Sequence, residues 1–394
     1  MPSLQGRGAH MHDFGATPDA ALAARLDPVI DHALAERRIV GLVTLVARGG
    51  ALVYRRAAGA ADREARRPVQ FHDIFRYASL TKPIVSVTAL ALVESGRLSL
   101  DDPVTKWLPD FRPRLPDGRE PAILIRHLLT HTSGLSYGLL EPPDGPYHRA
   151  KVSDGMDQPG LSFDENLRRL ASVPLLFEPG TRWNYSLSLD VLGRIIEVAG
   201  GASLPAMVER HVTALLGMRD TGFVVRDPSR LVTPYADATP QPVRMSDPHL
   251  LPFFEGAISF SPSRALEPRS YPSGGGGMVG TAEDYLVFLE TLRRGGAPLL
   301  RRETVDKMTS CAAAESQTLR GPGWCFGLAS SVLTDPAAAN TPQGAGTWSW
   351  GGVYGSHWFV DPPNETTVVV LTNTAIAGMI GPFPDAVRDA VYGR

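Results

Sequence analysis

Lysine is scarce in this chain: of 39 basic residues only four are lysine, at Lys82, Lys106, Lys151 and Lys307. Arginine supplies positive charge almost everywhere else, so the place of each lysine carries information. Cysteine is nearly absent too. Two residues, Cys311 and Cys325, are too few for a disulfide framework, and both are expected to be free thiols. There is no excess of charge of either sign. The formal net charge of −2 excludes a global basic field that would draw nucleic acid or an anionic membrane surface. No apolar run approaches the length of a membrane span, and no basic-then-apolar signal segment opens the chain. The expectation is a cytoplasmic protein with no nucleic-acid or membrane partner, working as a monomer or small homo-oligomer. Residues 1–14 (MPSLQGRGAHMHDF) lack periodicity and read as a tail.

What is present is ordinary globular composition, 43% hydrophobic and 20% charged over 394 residues, enough for two cores. Residues 19–38 have helical spacing despite Pro28; residues 39–62 turn β-branched and break at Gly49-Gly50, as a hairpin does. Helical patterns follow at 81–98, after a strand or turn within 121–135, and at 164–175, 187–201 and 203–218. The chain then changes character. After a helical stretch at 281–296, residues 324–333, 347–361 and 366–373 read as strands, with a turn at Pro362-Pro363-Asn364 and a closing helix near 379–392. Strands at both ends around a helical middle predict a split α+β fold. Residues 15–79 and 246–394 would form one domain, an antiparallel sheet with terminal helices, and residues 80–245 a mostly helical domain. A site between the two follows from the preference of clefts for such junctions.

The segment YASLTKP (77–83) puts Ser79 and Lys82 three residues apart, on one face of a helix. A serine hydroxyl needs a neighbouring base to become a nucleophile, and a desolvated lysine can exchange a proton where arginine cannot. Pro83 is tolerated only near a helix start, which places Ser79 at an N-terminus where developing negative charge is favoured. Alone, the pair is equally an N-cap and a solvated lysine. Tyr185, just ahead of a helix, adds a phenol able to take the serine proton if an ammonium group lies near. In WSWGGVYG (348–355), Gly351 and Gly352 within a strand mark a close approach or a bulge, and the Val353 N–H is placed to share an oxyanion with the Ser79 N–H.

Ser79-Leu80-Thr81-Lys82, then Tyr185-Ser186, then Trp350-Gly351-Gly352, in this order and spacing, resemble class C β-lactamases and penicillin-binding proteins. The chain is most similar to the family VIII carboxylesterases, which also match HLLTHTSGL, YSLSLDVLG, YPSGGGGM and WGGVYGSHWFVD. The resemblance implies a β-lactamase-like α+β fold and Ser79 as nucleophile. It implies Lys82 and Tyr185 as the proton-transfer pair, Val353 N–H as oxyanion donor, and neither metal nor organic cofactor. The implied partner is a small-molecule ester. Three departures stand out. Leu187 stands where β-lactamases carry asparagine, and Trp350 stands where they carry lysine. Gly355-Ser356-His357 replaces a Gly-His-Ser order, which keeps His357 out of the catalytic set. Trp350, Trp183, Tyr137 and Leu187 are expected as apolar walls.

Rival readings are weaker. GLSYG (134–138) matches GxSxG but lacks the strand and helix that a nucleophile elbow needs around Ser136. His127 and His131 have metal-ligand spacing with no glutamate and no third ligand. The run Gly274–Gly277 lacks a phosphate loop's lysine and reads as a flexible turn near the site. A class C-like β-lactamase and a non-catalytic penicillin-recognising protein remain the alternatives to an esterase of short-chain acyl groups, with cephalosporin deacetylation as a further expected activity.

Overall fold

A computed structural model describes residue 15, residues 17–313 and residues 320–394; the tail expected at 1–14 lies outside the described residues. Helix α1 (Ala20–Ala35) is capped by Asp19, whose side chain accepts from the Leu22 N–H. It buries Leu22, Leu26, Ile30 and Ala33, a stripe at steps of three and four. The stripe packs on one face of an eight-stranded, wholly antiparallel sheet, beside the closing helix α5 (Pro382–Tyr392).

Five of the eight strands come from the end of the chain. Strands β1 (Gly41–Arg48), β2 (Ala51–Asp62) and β3 (Arg67–Pro68) are followed far downstream by β4 (Trp324–Phe326), β5 (Ser331–Leu333), β6 (Trp348–Gly352), β7 (Ser356–Asp361) and β8 (Thr366–Thr372). Their order across the sheet is β4-β5-β6-β7-β8-β1-β2-β3. β1 therefore pairs with β8, Leu42 opposite Thr372 and Arg48 opposite Thr366. Both strands are buried along nearly their whole length because both faces are covered. α1 and α5 cover one face, and α4 (Ala282–Arg293) packs against β1 and β8 on the other. The turn between β1 and β2 uses Gly49 and Gly50 at φ +60° and +84°, values that favour glycine.

The helical layer is built on α2 (Thr81–Glu94), whose residues from Thr81 to Leu90 are all buried, and on α3 (Ser188–Gly200), which packs against it. No single helix among the described residues is long and apolar enough to cross a membrane. A strand pair, Tyr235–Ala236 with Thr374–Ala375, ties the end of the middle segment to the end of the sheet.

Four expectations are corrected. Residues 347–361 form a hairpin, β6 and β7, and residues 324–333 form another, β4 and β5, where one strand each was expected. Gly327 turns the chain there, where any side chain would meet the Met308 carbonyl at 2.4 Å. Residues 203–218 are not one α-helix but Leu204–Val208 and Ala214–Leu216 around a π turn at Glu209–Thr213. Cys311 and Cys325 are not free: they are bonded to each other, with Cα atoms 5.7 Å apart. Residues 311–313 run alongside β4, where Ala312 donates to the Phe326 carbonyl, and this non-local pairing brings the two sulfurs together.

Candidate active site

Ser79 sits in a one-turn 3-10 segment, Ala78–Leu80, that runs into α2. Ala78 before it is held at φ +46°, a conformation costly to any residue with a Cβ and typical of functional turns. Pro83 falls in the first turn of α2, where its missing N–H costs nothing. From the same helix face the Lys82 Nζ donates to the Ser79 Oγ at 3.1 Å and to the Gly275 carbonyl at 2.7 Å. The loop before α3 brings the Tyr185 hydroxyl, which donates to the Ser79 Oγ at 2.6 Å. Lys82 is 1% exposed, so its hydrogen bonds operate in a largely water-free setting where they are worth more than at a surface.

The sheet side is aromatic. The Trp350 indole N–H, on β6, reaches the Tyr185 oxygen at 3.4 Å, and their rings lie 5.2 Å apart. Trp350 thus contacts the tyrosine from the position where the resembling β-lactamases carry lysine. Val353 and Gly351 line the same cavity as Ser79. Gly352 lies behind its wall, where a Cβ would stand 2.3 Å from the Tyr77 carbonyl; glycine is what lets β6 approach the serine turn. The cavity is about 530 Å³ and is also lined by Tyr137, Leu139, Met156, Phe253 and Phe254.

Two expected walls stand elsewhere. Leu187 is fully buried and does not line the cavity; its N–H donates to the Ser136 carbonyl. Trp183 lines a second cavity of about 590 Å³, with Arg126, His127 and Lys307. The Gly274–Gly277 run is packed rather than loose. Gly275 is pressed so close to Asp190 and Tyr137 that a Cβ would meet their oxygens at 2.5 and 2.7 Å. Ser136 is buried outside the cavity, its N–H bonded to the Tyr147 hydroxyl at 2.6 Å.

The two spaced histidines part company. His127 accepts the Leu124 N–H at Nδ1 and faces the second cavity. His131 lies under the Tyr185 ring at 4.8 Å and accepts the Ser186 N–H at Nδ1. Burial, then the charge of Lys82, holds His131 well below the usual histidine range, so it packs as a neutral ring. His357 sits opposite Gly351 in the β6–β7 pairing, its ring 6.2 Å from that of Phe383 in α5, and it too lines the cavity that holds Ser79. It donates from Nδ1 to the Gly378 carbonyl at 2.7 Å, and burial lowers its pKa to about 4.

Sequence reasoning missed Asp190, although an acid inside the apolar run LSLDVLG was a visible signal. It also missed the hairpin of residues His249–Phe253 and Gly256–Phe260, whose tip puts the 70%-exposed Phe254 at the cavity. Two adjacent phenylalanines beside a turn were the only hint.

A serine hydroxyl held between a buried lysine and a tyrosine, where a helical layer meets an antiparallel sheet, defines a serine hydrolase of the β-lactamase and penicillin-binding-protein fold. The chain belongs to the Beta-lactamase family, whose model matches residues 26–385. It is 55% identical to Esterase EstB of Burkholderia gladioli, over 95% of this chain and 96% of that one. The solved structure of EstCE1, titled a hydrolase with promiscuous acyltransferase activity, superposes with a TM-score of 0.93 at 46% identity, over 95% of this chain and 99% of that one. An octameric penicillin-binding protein homologue from Pyrococcus abyssi shares the fold, with a TM-score of 0.72 at 22% identity over 94% of this chain and 76% of that one.

Proposed function

We propose that this chain is a serine carboxylesterase that hydrolyses short-chain acyl esters through an acyl-enzyme on Ser79. The observation that carries the reading is the contact of one serine oxygen with both Lys82 and Tyr185 inside a mainly apolar cavity. Similarity to proteins named as an esterase and a hydrolase supports the same chemistry.

In the proposed reaction the Tyr185 proton passes to Lys82, leaving phenolate beside ammonium. The phenolate takes the Ser79 proton as Oγ attacks the ester carbonyl. The carbonyl oxygen becomes an oxyanion facing the N–H groups of Ser79 and Val353. Tyr185 then hands its proton to the departing alcohol, and water repeats the sequence on the acyl-enzyme. The Trp350 N–H steadies the negative phenolate oxygen. Tyr137, Trp350 and Gly351 are proposed as substrate contacts, with a small-molecule ester as the partner. We also propose two lobes, residues 15–79 with 246–394 and residues 80–245, meeting at this cavity. The test is brief exposure to a fluorophosphonate followed by peptide mass mapping. Label on Ser79 supports the proposal, and label on Ser136 or on no serine overturns it.

A further inference from the structure

Behind Lys82 lies a carboxylate that the proposed reaction does not yet use. Asp190 is in the first turn of α3, is 1% exposed, and has no hydrogen-bond partner of good geometry at either oxygen. The Ser273 hydroxyl and the Gly275 N–H stand near enough to favour its ionised form, as do the charges of Lys82 and Arg264. Tyr137, Tyr271 and Asp154 are the other titratable groups facing it. Its Oδ2 abuts Gly275, the residue whose carbonyl accepts from Lys82.

A buried carboxylate without full compensation is expensive, and an apolar residue would pack this helix more stably. The Gly274–Gly277 run makes the cost larger, since glycines are what let that loop close over the acid. Both features make sense if the negative charge is needed beside Lys82.

We propose that Asp190 is a positioning residue. Its carboxylate, lodged behind Gly275, favours the state in which Lys82 carries the proton given up by Tyr185, so that the phenolate forms as the base for Ser79. The proton leaves the Tyr185 oxygen and reaches Lys82 Nζ by way of the Ser79 hydroxyl that both groups touch, Ser79 keeping one proton throughout, and the phenolate it leaves is balanced by an ammonium whose other acceptor, Gly275, Asp190 abuts. This rests on the serine esterase reading. Burial raises Asp190 to about 6, so its charge is present above that pH and is lost as pH falls through it.

The test compares wild type and Asp190→Asn on p-nitrophenyl butyrate across pH. Asparagine keeps the shape and removes the charge. We expect kcat to fall by about 10- to 100-fold with KM within about threefold, because the lost effect lies in the base and not in ester binding. The acid limb of kcat near pH 6 should disappear in the variant. A variant profile with the wild-type shape, merely scaled down, or full activity at every pH, overturns the proposal. Should Asp190→Asn fail to fold, carboxyl-labelled aspartate NMR on wild type and Lys82→Met takes its place. Removing the lysine charge should move the Asp190 titration upward by about one pH unit, consistent with a nearby opposite charge. An unmoved titration overturns the coupling. The NMR arm needs no ester turnover, so a failure of the esterase reading would show in wild-type kinetics while the Asp190–Lys82 coupling was still measured.

Discussion

Ser79 and Ser136 both stand in motifs associated with nucleophilic serines, and the structure gives them opposite surroundings. Ser79 opens a buried helix, lines the cavity and has two proton-bearing partners on its oxygen. Ser136 follows the short helix Ile125–Leu129 and is held by its backbone: its N–H goes to Tyr147 and its carbonyl takes the Leu187 N–H. A motif names a residue type. The proposed reaction needs a proton acceptor within reach of the nucleophile and an open space for the carbonyl, and of the two serines Ser79 alone has such partners on its oxygen and lines the cavity. The sharpest way to break this contrast is Ser79→Ala. It should lower kcat/KM on p-nitrophenyl butyrate by about four orders of magnitude or more, with the melting temperature almost unchanged. Residual activity within about 100-fold of wild type would leave the comparison without a basis.

The next largest effect tests the partner rather than the serine. Lys82 fills a site that is 1% exposed, with its ammonium aimed at two oxygens. A guanidinium is wider, planar and unable to exchange its proton, so Lys82→Arg should resemble Lys82→Ala, each losing about 1,000-fold in kcat. Tyr185→Phe should fall in the same range. Near-normal turnover by Lys82→Arg, measured under saturating ester, would reduce the lysine to a fixed charge.

How much of this was legible beforehand follows from the range of each contact. The Ser79–Lys82 pair is three residues apart on a helix whose start Pro83 marks, so the spacing alone places them together. The hairpin of β1 and β2 is local as well, announced by Gly49-Gly50. Tyr185 is 106 residues from Ser79, and only family resemblance connected them. Contacts of that length are invisible to periodicity. The Cys311–Cys325 bond spans only 14 residues, but two cysteines are too few to announce a disulfide framework. Asp190 shows the same limit differently. An acid in an apolar helix is conspicuous in the sequence, but its neighbours Lys82 and Gly275 come from two other parts of the chain.

A smaller effect sharpens what the Ser79 site accepts. β-Lactam antibiotics present a side-chain amide and a ring carboxylate. Leu187 lies outside the cavity and offers no hydrogen bond to the amide. Trp350 offers an indole N–H already directed at Tyr185 where a cation would meet the carboxylate. Each unpaired polar group costs about 1–3 kcal/mol, so ring opening should be slower than ester cleavage by roughly 100-fold. An acetyl ester on a cephalosporin should be removed with its ring intact. Mass spectrometry of one such cephalosporin reads both reactions, and ring opening as fast as deacetylation would restore a β-lactamase as the better description.

The smallest expected effect belongs to the other serine. Ser136→Ala keeps both backbone hydrogen bonds that hold this residue, because neither uses the hydroxyl. The side chain is buried and outside the cavity, so its removal leaves the ester-binding walls in place. Deleting one hydroxyl at such a position costs about 1 kcal/mol of stability at most, roughly one degree in melting temperature for a chain of this size. The kcat/KM for p-nitrophenyl butyrate should stay within about twofold of wild type. A loss comparable to that of Ser79→Ala, in a variant that melts normally, would mean that the GxSxG serine acts on the ester after all. The contrast in surroundings would then have to be explained by a rearrangement that brings Ser136 into the cavity. Unchanged turnover with at most a small stability loss is the outcome expected of a serine held through its backbone.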